Sequence, residues 1–372
     1  VLIRSDATAD VEALSRLLQE VAAAPDVGLI VVLACDANGF TPTALDPALR
    51  ACPKPLIGGI FPQIIEGSQV YQRGTIVAGL RCRATVTTID SLDQSGADFE
   101  ARISGKLTEF ELGRGTLLVF ADGWTARISA LIDALFNTFG LDLDYLGAGA
   151  GSLNVRQSPC IMTNDGLLSD AAVLALTDIG AGIGVAHGWT PISQPYKVTE
   201  ADRNTLISLD WKPAFDVYRE IVEAHSGRSF DGTAFFDLAK AYPFGIAKLD
   251  NEMIVRDPFI RDGSHIVCVG DVPRGSYVHV LHGDTDSLVL AAGRARALAQ
   301  SSYRGVSAEP SLLFIDCVSR VLFLQDAFAH EIAAVNPGLP LIGALTLGEI
   351  ANSGRECLEF YNKTSVVGLL DA

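Results

Sequence analysis

Three stretches of this chain repeat one order of elements, and that repeat restricts the fold more than any other feature. Residues 55–63 read "PLIGGIFPQ" and residues 340–349 read "PLIGALTLGE". A short apolar run precedes each: "GLIVVLACDAN" at 28–38 and "SLLFIDCVS" at 311–319. A third copy pairs "TLLVFADG" at 116–123 with "YLGAGAGS" at 145–152. Runs of Ile, Val, Leu and Phe this short are typical of buried strands. The gap from run to glycine is about 30 residues each time, enough for a crossover helix between parallel strands. Each copy then reaches another strand-like run: "GTIVAGL" (74–80), "AAVLALT" (171–177) and "SVVGLL" (365–370).

An amphipathic segment stands before each copy. In "DATADVEALSRLLQEVAAA" (6–24), Ala9, Val11, Leu14, Leu17, Leu18 and Val21 share roughly one helical face. The others are "GADFEARISGKLTEFEL" (96–112) and "DTDSLVLAAGRARALAQ" (284–300), the last capped by Asp284 or Thr285. A further helix is predicted in "KPAFDVYREIVEAH" (212–225), among hairpin-like strands. The expected fold class is α/β: layered mixed sheets covered by helices, built from repeated helix–strand–helix–strand–strand units in two domains. The proline-bearing stretch "GWTPISQPYKVTEAD" (188–202) suggests domains at 1–195 and 196–372. Gly58, Gly147 and Gly343 should occupy one position in their units, either at a tight crossing or as bare backbone under a ligand. "GAGAGS" lacks the spacing of a dinucleotide fingerprint, so nucleotide binding there is rejected.

Charge excludes one class of partner. With 28 basic and 44 acidic residues the chain carries a net charge of −16, which repels phosphate backbones and anionic lipid, and nucleic acid is not expected. The seven cysteines are widely spaced and form no C-x-x-C, as expected of free thiols in a reducing compartment. No unbroken run of roughly 18 apolar residues occurs and no charged-then-apolar leader opens the sequence, so a cytoplasmic protein without a membrane span is expected.

The C-terminal half carries a specific pattern: Pro213, Ala214 and Tyr218 on one helix; Val255 and Arg256; Cys317 and Arg320; Glu331; Gly343, Thr346, Gly348 and Glu349; Asn362 and Thr364. These residues resemble the FIST C-terminal domain, a bacterial and archaeal sensory module. The strand–helix–glycine rhythm of the first half, with "PLIGGIFPQ" and "DYLGAGAGS", is similar to the FIST N-terminal domain. Two departures stand out: Ala344 and Leu347 replace the usual aromatic pair, and Trp211 stands where a small or polar residue is commoner. The resemblance implies signal input by small-molecule binding, with amino acids among the ligands. No HAMP, kinase or cyclase segment is read in these residues. A separate partner, such as a histidine kinase or diguanylate cyclase, is therefore expected to receive the signal, with a homodimer as one possible assembly. One branch of the family binds haem and responds to nitric oxide. For that alternative, His187, His265 and His282 are the candidate axial ligands.

The candidate ligand-binding residues are Arg320, Thr346, Glu349, Asn362, Gly343, Gly348, Cys317 and Arg256. A planar guanidinium suits a carboxylate, and a glutamate can hold an ammonium group, so Arg320 with Glu349 is the minimum chemistry for a zwitterion. The competing expectation is that the two pair with each other as a buried strut. Cys317 would need a base to act as a nucleophile, and the nearest histidine in sequence is His330. A buried strand cysteine is ordinarily inert. No catalytic residue is therefore expected, and a hydrolase using Cys317 is the distant alternative. His279 and His282 lie three apart on a predicted strand, on opposite faces, and make poor joint metal ligands, so no metal site is read.

Overall fold

The computed structural model describes residues 1–107, 115–154, 156–248, 253–307, 309–352 and 357–372. Three six-stranded sheets share one strand order. Sheet I runs Leu2–Asp6, Thr75–Leu80, Leu29–Cys35, Leu56–Phe61, Ile161–Thr163, Gly166–Leu168. Sheet II runs Ala84–Asp90, Ala171–Thr177, Thr116–Asp122, Asp144–Ala150, Glu349–Ala351, Glu359–Tyr361. Sheet III runs Ala181–Ala186, Ser365–Leu370, Ser311–Cys317, Leu341–Thr346, Gln63–Glu66, Gln69–Tyr71. In each, the third and fourth strands are parallel and the other pairings antiparallel.

The outer hairpins are exchanged cyclically. The hairpin that follows Leu56–Phe61 of sheet I joins sheet III, and the one after Asp144–Ala150 of sheet II joins sheet I. The hairpin after Leu341–Thr346 of sheet III joins sheet II. Each sheet is therefore completed by its neighbour, and one buried core takes Leu33 and Phe61, Phe120 and Leu146, and Ile315 and Ala344 from the three. The parallel pairs are linked by helices, Pro42–Arg50, Ile128–Phe139, and the pair Val318–Leu324 and Phe328–Val335. The preceding helices are Val11–Ala22, Phe99–Ser104 and Thr285–Ser302, the last with a capping box in which Asp284 accepts from the Ser287 N–H. Residues 108–112 of the second amphipathic segment lie outside the described residues.

Gly58, Gly147 and Gly343 face Val32, Val119 and Phe314 across their parallel pairs. A Cβ on each would stand 2.3, 1.9 and 2.2 Å from the facing carbonyl oxygen. The glycines are there because the backbones approach too closely for any side chain, not to leave room for a ligand.

Residues 190–282 form a different body. Strands Tyr277–His282, Tyr196–Asp202, Thr205–Leu209, His265–Val269, Ile254–Asp262 and Phe244–Ile246 pair antiparallel in that order, and the last returns to pair with the first. Closure leaves no free edge within the ring. Helix Ala214–Ser226 buries Phe215, Tyr218 and Val222 in its core. Layered mixed sheets with covering helices thus describe the first body, and the second adds a barrel. The expected division at 195/196 falls between Thr190–Pro191 and Tyr196–Asp202, both members of the barrel's sheet, while residues 285–370 return to the three-sheet body. Among the described residues no helix is long and apolar enough to cross a membrane.

Candidate functional site

Ser311–Cys317 and Leu341–Thr346 end side by side, with Cys317 opposite Thr346 in the parallel register. Open α/β sheets commonly bind ligands at the carboxyl ends of such strands. Here the barrel leans over that end. Beside that end, between the barrel and the carboxyl end of Thr116–Asp122 in sheet II, lies a cleft of ≈260 Å³, walled by Trp124, Thr125 and Phe360 on one side and by Asn204, Phe259 and Val269 on the other. Trp124, Phe259 and Val269 also line a recess of ≈30 Å³ beneath it. The Trp124 and Phe259 rings touch across the two bodies, with centroids 5.9 Å apart. The recess is completed by Leu153, Asp257, Cys317, Val318, Ser319, Thr346, Leu347 and Asn362. Three predicted site residues, Cys317, Thr346 and Asn362, therefore converge there. Leu347, noted as a departure from the family pattern, is part of the wall, whereas Trp211 is 77% exposed on a turn.

Asn362 belongs to the turn Asn362–Lys363–Thr364 between Glu359–Tyr361 and Ser365–Leu370. Its side chain is buried, and neither amide atom has a hydrogen-bond partner among the described residues. Lys363 takes the left-handed conformation at φ +51°, which a lysine adopts only when its surroundings impose it. Its fully buried Nζ donates to the Lys240 carbonyl at 2.8 Å and lies 3.2 Å from Asp257 Oδ1, an ion pair without hydrogen-bond geometry. Ser319 Oγ donates to Asp257 Oδ2. This pair joins the turn of the sheet body to the barrel strand Ile254–Asp262. Burial pushes the Asp257 carboxyl up, and Lys363 opposes that shift.

Arg320 does not pair with Glu349. Its Nε donates to Glu331 Oε1 at 3.0 Å, and Nη2 reaches the same oxygen. Nη1 donates to the carbonyls of His187 (2.6 Å) and Lys363 (3.2 Å), and Nη2 to that of Leu288 (3.0 Å). Asp316 Oδ1 lies 3.2 Å from Nε. A guanidinium has five N–H donors, and all are spent on the protein. Arg320 is a fully buried hub joining four elements, with no donor left for a ligand carboxylate.

Glu349 stands behind the turn. Its Oε2 accepts the Thr364 N–H at 3.3 Å, and Thr364 Oγ1 donates to the Asn362 carbonyl at 2.7 Å. The Thr346 hydroxyl lies 2.9 Å from Glu349 Oε1 and 3.2 Å from the Asp316 carbonyl. A protonated Glu349 would donate to Thr346 Oγ1 and leave the hydroxyl hydrogen to the Asp316 carbonyl. Its environment agrees: burial, then the nearby Asp316, pushes the Glu349 carboxyl well above its ordinary value. Thr346 and Glu349 position the turn that holds Asn362.

The remaining candidates are set apart from the recess. Gly343 is the mid-strand crossing described above. Gly348, at φ +153°, gives its carbonyl to the Gly149 N–H at 2.8 Å and so ties sheet III to sheet II. Arg256 donates to the carbonyls of Asp271 (2.8 Å), Val255 (3.1 Å) and Phe360 (2.9 Å), bracing the cleft's rear wall. Burial, then the Glu349 and Asp257 carboxylates, pushes the Cys317 thiol well above its ordinary value, and His330 is exposed on its helix.

None of the three histidine candidates for haem is among the described residues lining cleft or recess. His187 is half-buried, its Nδ1 accepts the Trp189 N–H at 3.0 Å, and desolvation followed by Arg320 lowers it to about 4. His282 stacks on Tyr242, with centroids 4.8 Å apart. His265 opens a barrel strand.

Sequence reasoning missed Asp257, Ser319, Lys363, Trp124 and Phe259. Each is unremarkable in its own segment and gains meaning only from the packing of barrel on sheets. The one local signal was the pair Trp124 and Gly123 directly after a buried strand, where a side chain must point over the strand end.

The fold defines a two-body α/β protein, with a recess at parallel strand ends roofed by an antiparallel barrel. The chain belongs to the FIST family: the FIST N domain matches residues 28–212 and the FIST C domain residues 214–352. No curated protein matches it. FIST domains are associated with sensory signal transduction.

Proposed function

We propose that this chain is a sensory input protein that binds a small molecule in the cleft and reports to a separate signalling protein, such as a histidine kinase or diguanylate cyclase. The observation that carries this reading is the Asn362 amide: a buried donor–acceptor group at the recess, without a partner in the protein. Buried polar groups left unpaired cost about 1–3 kcal/mol, and a fold retains one where a ligand answers it. A ligand lodged there touches both bodies at once, and so favours the arrangement in which they close on it. We read the site as one of binding, not turnover, because the Cys317 thiol is held protonated and its candidate base is on the exposed face of a helix. A free amino acid would have to bind without a clamp from Arg320.

The test is a thermal-shift screen of the purified chain against a metabolite panel. A ligand bound only by the native state raises the melting temperature. A hit is expected whose effect is lost in both Trp124→Ala and Phe259→Ala. Hits unaffected by either change would place binding elsewhere and defeat the reading.

A further inference from the structure

The polar atoms around the recess are nearly all committed. Asp257 holds Lys363 and accepts from Ser319. Thr346 is engaged with Glu349 and the Asp316 carbonyl. Cys317 accepts the backbone N–H of Lys363. The two other buried oxygens without a hydrogen bond outside this ion pair, Asp316 Oδ2 and Glu331 Oε2, belong to the acids around Arg320 and not to the recess. Among the described side chains at the recess, what is left is one neutral group offering two N–H donors and one carbonyl acceptor side by side: Asn362. An anionic head would sit beside Asp257 and leave the Asn362 carbonyl unpaired. A cationic head would leave the N–H groups unpaired and sit close to Lys363. Either would be taken out of water with no uncommitted opposite charge to meet it. The rest of the recess wall is largely apolar: Trp124, Leu153, Phe259, Val269 and Leu347.

We infer that the recess selects a neutral carboxamide-type head group, as in a primary amide, lactam or urea edge, which pairs with Asn362 while an apolar body lies between Trp124 and Phe259. This rests on the reading of the cleft as the ligand site and narrows the ligand to one chemical class. The ≈30 Å³ recess is small, so a head group and not the whole ligand is placed there. The zwitterion suggested by Arg320 and Glu349 in the sequence is replaced, since the first is spent and the second is engaged with Thr346 and Thr364 and does not line the recess.

Four probes with one benzyl body test the inference: phenylacetamide, phenylacetate, phenethylamine and phenylalanine. Their affinities for the full chain are measured by calorimetry and ligand-observed NMR, on wild type, Asn362→Leu and Asn362→Asp. Phenylacetamide should bind wild type about tenfold or more tighter than each charged probe, and either substitution should weaken it by about tenfold. Because the amide makes no hydrogen bond in the protein, Asn362→Leu should keep or raise the melting temperature. A charged probe binding as well as phenylacetamide, an affinity indifferent to Asn362, or a lower melting temperature for Asn362→Leu overturns the inference. So does the failure of all four probes at millimolar concentration. The cleft reading would survive that failure if screened metabolites still depend on Trp124 and Phe259.

Discussion

Glu349 shows how one proton changes the meaning of a residue. In the sequence it reads as a negative charge awaiting an ammonium group or Arg320. In the structure it is buried, faces Asp316, and shares a single hydrogen with Thr346 and a carbonyl. A carboxyl whose folded-state value is raised stabilises the fold fully at pH below its ordinary range, and that contribution is lost as pH rises through the elevated value. Glu349→Gln keeps the shape and the neutral hydrogen bonds, so its stability should lie within about 1 kcal/mol of wild type in acid. As pH rises the variant should gain on wild type, because it has no proton to lose. Denaturant unfolding at a series of pH values measures this, and a constant difference would mean that Glu349 titrates alike in the folded and unfolded chain. The sequence pointed to Thr346, Glu349, Asn362 and Cys317 because polar residues cluster on three short, otherwise apolar segments, around 317, 346–349 and 362. It could not show their protonation or their partners. Those depend on how Asp316, Glu331 and Lys363 are brought together in the fold, and on burial, which composition does not record.

At the scale of elements, the glycine-marked strands were legible for a physical reason: a backbone crossing too tight for a Cβ leaves glycine as its trace at a fixed distance from a buried run. The sequence left open whether that bareness served a ligand or a packing contact. The register decides for packing, since Gly343 faces Phe314 in mid-strand and is not part of the recess. Gly343→Ala should therefore force the parallel pair apart and cost about 1–3 kcal/mol or more, as overpacking does, and Gly58→Ala and Gly147→Ala should behave alike. Urea midpoints for the three variants check this. A Gly343→Ala protein with native stability and weakened ligand binding would restore the ligand reading of that glycine. The barrel was less legible, because short antiparallel strands with bulges, as between Pro258 and Ile260, blur the alternation that marks them, and closure depends on pairings far apart in sequence.

At the scale of the whole molecule, three sheets completed by one another's hairpins form a body that cannot easily be divided, while the barrel is attached around the cleft. Lys363 and Asp257 are central to that attachment, one from each body, both buried. Removing one partner leaves the other as an uncompensated buried charge, a change that costs about 3–5 kcal/mol, whereas replacing both with neutral groups of similar shape costs far less. Lys363→Met should thus lower stability by that amount, Asp257→Asn should also be destabilising, and the double variant should recover much of the loss. A coupling measured by the double-mutant cycle isolates the pair from the packing each side chain also provides, including the approach of Lys363 Nζ to 5.3 Å from the Trp189 ring. If the double variant instead loses the sum of the two single losses, the pair is not what joins barrel to sheets. The attachment would then rest on apolar contact and on the bonds that Arg256 sends to the Phe360 carbonyl.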